Sequence, residues 1–331
     1  MPGLRGAARD RGLSTEAPPA PFAVTRGDVV LSGEDSGAGA PVLLLHGLTA
    51  TRRYVVHGSR VLERAGHRVV AASGVSRASV RRAEDLLPGV PLVPPDEAAA
   101  AADLVLLAVP DDVLAGLVRG LAAAGCFHPG QIVVHTSGAQ GVAVLDPATA
   151  HGVLPLALHP VMTFTGRTED VARLAGASVA VTAAVGQEAA WSVGEALVVE
   201  MGAEPVRVPE AVRPLYHAAL AHGANHLITL VRDCVDVLER AGVHSAERLV
   251  APLLSAALDN ALRHGDRALT GPVARGDAGT VRTHLRELDA VDPDLARTYR
   301  VLAARTARRA QGAGLLPAHA ADEVRATLEE D

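Results

Sequence analysis

The 331-residue chain has almost no aromatic side chains: one Trp, three Tyr and three Phe, 2% of the total. Hydrophobic residues nevertheless make up 49%, so Ala, Val and Leu must build the core. Small aliphatic residues at that density suit helices packed on a parallel sheet. Cysteine is scarce as well. Cys126 and Cys234 stand far apart, without C-x-x-C or metal-ligand spacing, which fits a reducing compartment. Positive charge is not in excess: the net charge is −6 and no basic stripe alternates with aromatics, so a nucleic-acid partner is not expected. No apolar run reaches the roughly 18 residues of a spanning helix, and no secretory apolar region is present. No membrane partner is expected, and the cytoplasm is the expected location.

The length suggests about two domains. Residues 1–26, with Arg5, Arg9, Arg11, Pro18, Pro19 and Pro21 and little periodicity, read as a disordered leader. A short strand is expected at Asp28–Leu31 and a buried one at Val42–Leu45. Strands and helices then alternate: helices near 51–64, 76–87, 112–124 and 187–201, strands near 68–72, 104–109, 131–135, 154–158, 177–182 and 205–208. That order implies βαβ units with right-handed crossovers, hence an α/β domain over 27–208. After Pro209 only helical spacing is left, at 213–239, 246–264, 278–289, 294–311 and 318–329, punctuated by Gly and Pro. Residues 209–331 therefore read as an all-helical domain.

A dinucleotide-binding fold needs G-x-G-x-x-G after its first strand, because glycines let backbone N–H groups approach the pyrophosphate. The sequence there is His46-Gly47-Leu48-Thr49-Ala50-Thr51-Arg52-Arg53. Leu48 and Ala50 carry Cβ atoms in the way. Only Gly47, with Arg52 near the next helix, is left to meet phosphate, and weakened nucleotide binding is expected. Ligands of open parallel sheets bind beyond the carboxyl ends of the strands. Those ends carry Ser73, Ser76 and Arg77, then Val109-Pro110, then Thr136-Ser137, then His159-Pro160. Hydroxyls plus a guanidinium, with no acidic residue, suit the 2′-phosphate of NADP. An ordinary reading of Ser76-Arg77 is a helix N-cap followed by a solvated arginine.

The runs 102–111, 133–138, 156–166, 215–226 and 269–277 together resemble one family: Rossmann-like oxidoreductases that end in a helical domain of unknown function, DUF2520, relatives of ketopantoate and pyrroline-5-carboxylate reductases. The resemblance covers about residues 66–328. It implies an α/β Rossmann-like parallel sheet domain, then an all-helical C-terminal domain like that of 6-phosphogluconate dehydrogenase. It also implies NADP as cofactor, a homodimer through the helical half, and reduction of a small 2-oxo or imino acid. Residues 28–72, with Pro41-Val-Leu-Leu-Leu-His-Gly-Leu-Thr-Ala50, instead resemble the start of an α/β-hydrolase. No G-x-S-x-G elbow follows. A silent Rossmann-type binding protein is the remaining alternative.

Reduction of a carbonyl needs a proton donor near the developing alkoxide. His159, at a strand end, has a suitable intrinsic pKa. His217 and Asn225 are eight residues apart on one helix, hence about 80° apart around its axis; His217 is expected as the acid and Asn225 as an orienting group. Thr270, Arg275 and Asp277 form another polar cluster. Arg275 there would clamp a substrate carboxylate, or pair with Asp277 to fix a turn. His222 and His226 have metal-ligand spacing but no evident third ligand, so no metal is expected.

Overall fold

A computed structural model describes residues 20–26, 29–35, 41–46, 66–165 and 169–330. Gly47, Arg52 and the helix expected at 51–64 lie outside the described residues. Strands β1 (Ala20–Arg26) and β2 (Val29–Asp35) pair antiparallel as a sheet of their own. β1 thus takes up the last seven residues of the stretch expected to be disordered.

The main sheet contains β3 (Pro41–His46), β4 (Arg68–Gly74), β5 (Leu104–Ala108), β6 (Ile132–His135), β7 (Leu154–Pro160), β8 (Ser178–Thr182) and β9 (Glu204–Arg207). Their order is β4-β3-β5-β6-β7-β8-β9. Between them run α1 (Arg77–Leu86), α2 (Pro95–Ala100), α3 (Asp111–Ala123), α4 (Asp146–Thr149), α5 (Glu169–Leu174) and α6 (Glu188–Glu200). Alternate residues of β5 serve opposite faces. Val105 and Leu107 join Leu114 and Val118 of α3 with Ala98 and Ala99 of α2. Leu104 and Ala108 join Leu156 and Leu158 of β7 with Leu174 of α5 and Leu197 of α6. Both faces are covered, which is why these strands read as continuous apolar runs.

The sheet is not wholly parallel. β3 to β7 run parallel, but β8 is antiparallel to β7, and β9 is parallel to β8. Between β7 and β8 the described residues form the six-residue helix α5. The chain re-enters the sheet from the end at which it left.

The helices that follow are α7 (Arg213–Arg240), α8 (Ala246–His264), α9 (Gly271–Arg275), α10 (Ala278–Val291), α11 (Pro293–Gly312) and α12 (Ala318–Glu329). Two compact units divide at Ala219/Leu220, inside α7. The second has its own core: Val281 and Leu285 of α10 pack with Ala303, Ala307 and Ala310 of α11 and Val324 and Leu328 of α12. Asp292 caps α11, accepting from the N–H groups of Asp294 (2.9 Å) and Leu295 (3.4 Å). Among the described residues no helix is long and apolar enough to cross a membrane.

Candidate functional site

The polar residues of the sheet unit converge where β6 and β7 end. His135, the last residue of β6, is completely buried. The Ser137 N–H donates to its Nδ1 at 3.2 Å, so Nε2 carries the ring proton and donates to the Gly141 carbonyl at 2.9 Å. Burial is the main force holding its pKa down to about 3. This neutral ring fastens the loop 136–141 from below. Within the loop, Ser137 Oγ accepts from the Gln140 N–H at 2.9 Å.

The far side of the loop is fastened by residues just before and at the start of α7. The Glu210 carboxylate accepts from the N–H groups of Val142 (2.7 Å) and Ala143 (3.2 Å), where a 3₁₀ turn, Val142–Leu145, begins. Gly141 has to be glycine for this approach: a Cβ there would lie 2.1 Å from Glu210 Cδ. Arg213, also completely buried, donates from Nη2 to the Ser137 carbonyl (2.5 Å) and from Nη1 to Thr182 Oγ1 (2.7 Å). The loop is held by β6, by the chain before α7 and by α7 itself.

Against this loop lie His159, Tyr216 and His217. His159 Nδ1 is 2.8 Å from the Tyr216 hydroxyl, and the rings of His159 and His217 meet edge to face with centroids 6.3 Å apart. Gly138 provides the floor. A Cβ at that position would come within 2.7 Å of His217 Cδ2 and 2.9 Å of His159 Nε2. Burial, then the positive charge of Arg213 and then His217, hold the His159 pKa down to about 4, so the ring is neutral at pH 7. Burial raises the Tyr216 pKa and keeps it protonated, while Arg213 opposes that rise. The cluster therefore presents a neutral imidazole joined to a protonated phenol, beside a rigid glycine-floored loop. That is a chain able to hand a proton outward.

Other expected site residues fall elsewhere. Ser73 is buried. Ser76 caps α1, its Oγ accepting from the Ser79 N–H at 3.1 Å. Arg77 is exposed and forms no ion pair among the described residues. Val109 is buried and Pro110 is the N-cap of α3. Thr136 is half-buried and Ser137 buried, both at the loop. Asn225, exposed on α7, belongs to the second unit. So do Thr270, the N-cap residue of α9, and Arg275, its last residue. Asp277 is engaged as the N-cap of α10, accepting from the Thr280 N–H at 3.0 Å and its hydroxyl at 2.7 Å. His222 and His226 touch through Nδ1 atoms 2.9 Å apart, and no group of three candidate metal ligands occurs among the described residues. Tyr216, Glu210 and Arg213 escaped the sequence reading. Tyr216 sits beside His217 in the same run, but its significance is a contact to a residue 57 positions away.

Residues 33–160 match the Rossmann-like domain family, and residues 178–306 match the family described as Domain of unknown function (DUF2520). The hydrolase-like segment thus falls largely inside the Rossmann-like match, and its strand β3 lies between β4 and β5, parallel to both. The hydrolase-like reading of that segment gains no support from the matches. Among solved structures, a Bacteroides fragilis protein designated a candidate NADP oxidoreductase is 20% identical with a TM-score of 0.66, over 81% of this chain and 98% of that one. A Streptomyces aurantiacus imine reductase is 17% identical with a TM-score of 0.58, over 88% and 100%. A Thermotoga maritima protein is 18% identical with a TM-score of 0.58, over 82% and 100%. No curated protein matches the chain. Residues 33–160 thus match a Rossmann-like domain, and the DUF2520 match over 178–306 takes in the last two strands of the sheet and most of the helices that follow.

Proposed function

We propose that the chain is an NADP-dependent oxidoreductase that reduces the C=O or C=N bond of a small 2-oxo or imino acid, with Tyr216 as proton donor and His159 as its relay. The observation that carries this is the 2.8 Å contact of His159 Nδ1 with the Tyr216 hydroxyl, at strand ends where open parallel sheets bind ligands. Similar structures named for NADP oxidoreductase and imine reductase activity support the cofactor and the reaction class. The end of β4 suits NADP through exposed Arg77, a guanidinium beside the half-buried Ser76, whose hydroxyl caps α1, with no carboxylate in the run 73–77. Ser76 and Arg77 stand at the N-terminus of the ten-residue α1, where the helix end favours anions.

When bound, NADPH supplies a hydride to the carbon of the double bond. The oxygen or nitrogen at the other end takes the electron pair and needs a proton. Tyr216 gives it, its O–H bond breaking as the new O–H or N–H bond forms. His159 passes its Nδ1 proton to the Tyr216 oxygen as Nε2 takes one from solvent, and proton exchange with solvent returns the ring to its Nδ1–H tautomer before the next turnover, so one solvent proton is consumed per turnover. A neutral imidazole suffices for this relay, and turnover is therefore level across the range where an ordinary histidine titrates, around pH 6.5.

A second copy of the chain is the partner this reading expects. In the helical unit α8 exposes Leu249, Leu253, Leu258 and Leu262, while α7 and α11 line a largely apolar cavity of 660 Å³. Leu249 and Leu253 lie about 180° around α8 from Leu258 and Leu262, so α8 offers apolar surface on two sides, and an exposed apolar helix and an open groove in one unit suit a contact between two copies.

The test is Tyr216→Phe, assayed with NADPH and a panel of small 2-oxo acids and cyclic imines. Turnover should fall by roughly 10²–10⁴ with nucleotide affinity unchanged. Wild-type turnover in the variant would overturn the donor assignment and return the role to His217.

A further inference from the structure

Arg213 is a cation without a counter-ion. It is completely buried, its two bonds go to a carbonyl and a hydroxyl, and Nε has no partner. Among the described residues no carboxylate forms an ion pair with it. The carboxylates whose charge reaches it are those of Glu210 and Asp111. Glu210 is already engaged by two backbone N–H groups, and Asp111 opens α3. Burying a charge without a partner is costly. Tying the Ser137 carbonyl to Thr182 does not require charge, since a neutral amide donates to both. The charge itself calls for a role.

Its surroundings supply one. Tyr216 and His217 follow at three and four positions on α7, on the same helix face as Arg213. The titratable groups whose charge couples to this cluster are His135 from β6, His159 from β7, Tyr216 and His217 from α7, Glu210 from the turn before it and Asp111 from α3. A fixed positive charge among them opposes imidazolium and favours phenolate.

We propose that Arg213 is a positioning residue that acts through charge: its buried guanidinium adds to burial in opposing a positive charge on His159, and stabilises the negative charge on the Tyr216 oxygen at the moment its proton leaves. The inference rests on Tyr216 being the donor, but the charge effect is present in the protein without substrate. The same directions emerge for the free groups: Arg213 lowers the pKa of His135 and His159 and opposes the rise at Tyr216.

The experiment is an NMR titration of the full chain, following Tyr216 Cζ and the His159 ring, each assigned by its own substitution. Arg213→Gln keeps donors for Ser137 and Thr182 and removes the charge. Both groups should then titrate higher, by about one pH unit or more for a charge acting at this range in a protein interior. Arg213→Lys keeps the charge and should hold both titrations within about half a unit of wild type. A folded Arg213→Gln protein with both titrations unmoved would overturn the proposal. If that variant does not fold, Arg213→Lys decides: a displacement beyond that half unit overturns it. The turnover of Tyr216→Phe is a separate readout, so failure of the donor assignment and failure of the charge effect are told apart.

Discussion

Gly141 and Glu210 make a sharp test of how the loop is held. Glu210→Ala removes two charge-assisted hydrogen bonds. The one to Val142 N–H, at 2.7 Å, is part-buried; the one to Ala143 N–H, at 3.2 Å, is exposed and water replaces it. A hydrogen bond to a charged group is worth about 1.5–3 kcal/mol, so the loss should be about 2–3 kcal/mol, nearly all from Val142. Gly141→Ala should cost about the same for a different reason. Its backbone, at φ −98° and ψ −167°, suits any residue, but the new methyl would sit 2.1 Å from the carboxylate and expel it. Once Glu210 is Ala, that clash is gone, and Gly141→Ala should become neutral or stabilising by about 0.4–1 kcal/mol through the unfolded chain. The double-mutant cycle should therefore show a coupling of about 2–4 kcal/mol. Urea unfolding followed by Trp191, the single tryptophan and a residue of α6, reports on the sheet unit. Equal costs for Gly141→Ala in both backgrounds would refute the reasoning.

Two further outcomes are expected. Gly138→Ala must displace both imidazoles, because its Cβ would come within 2.7 Å of His217 and 2.9 Å of His159; turnover should fall by about tenfold or more, at a stability cost of about 1–3 kcal/mol, and an unchanged kcat would contradict the placement of the rings. His135, with a folded pKa of about 3, lies below the value of about 6.5 in an unfolded chain. The unfolded state binds the extra proton between those values, so stability is complete above about pH 6.5 and declines as pH falls toward 3, with His159 adding the same sign down to about 4. His135→Gln, which takes up no proton, should lose less stability than wild type between pH 6.5 and 4.5 in urea melts, and parallel curves would show that His135 does not carry the dependence.

Much of this architecture is legible in the residues. The runs Leu104–Ala108 and Leu154–Leu158 are continuous and apolar because both faces of their strands are covered, and the helical half announces itself by spacing alone. Strand direction is not written in such patterns. The reversal at β8 has no signature in the sequence, where the six-residue α5 carries too few residues for a periodic signal. The site divides in the same way. His159 and Ser137 could be found because strand ends of an open sheet are where ligands bind. Arg213 and Tyr216 could not, because their roles arise from contacts to Ser137, 76 positions away, and to His159. Ser76, open to ligand contact or helix capping, caps α1, and Asp277, open to a substrate cluster or a turn, caps α10.

Transfer of deuterium from NADPH carrying deuterium at both C4 positions tests the central claim most directly. Wild-type protein is incubated at saturating cofactor with the panel of 2-oxo acids and cyclic imines, and the reduced product is weighed by mass spectrometry. The account predicts one deuterium at the reduced carbon for at least one substrate, with the rate of its appearance cut by roughly 10²–10⁴ in Tyr216→Phe. Product formed without deuterium, or at the same rate in the variant, would contradict it, as would saturating NADPH with no reduction anywhere in the panel.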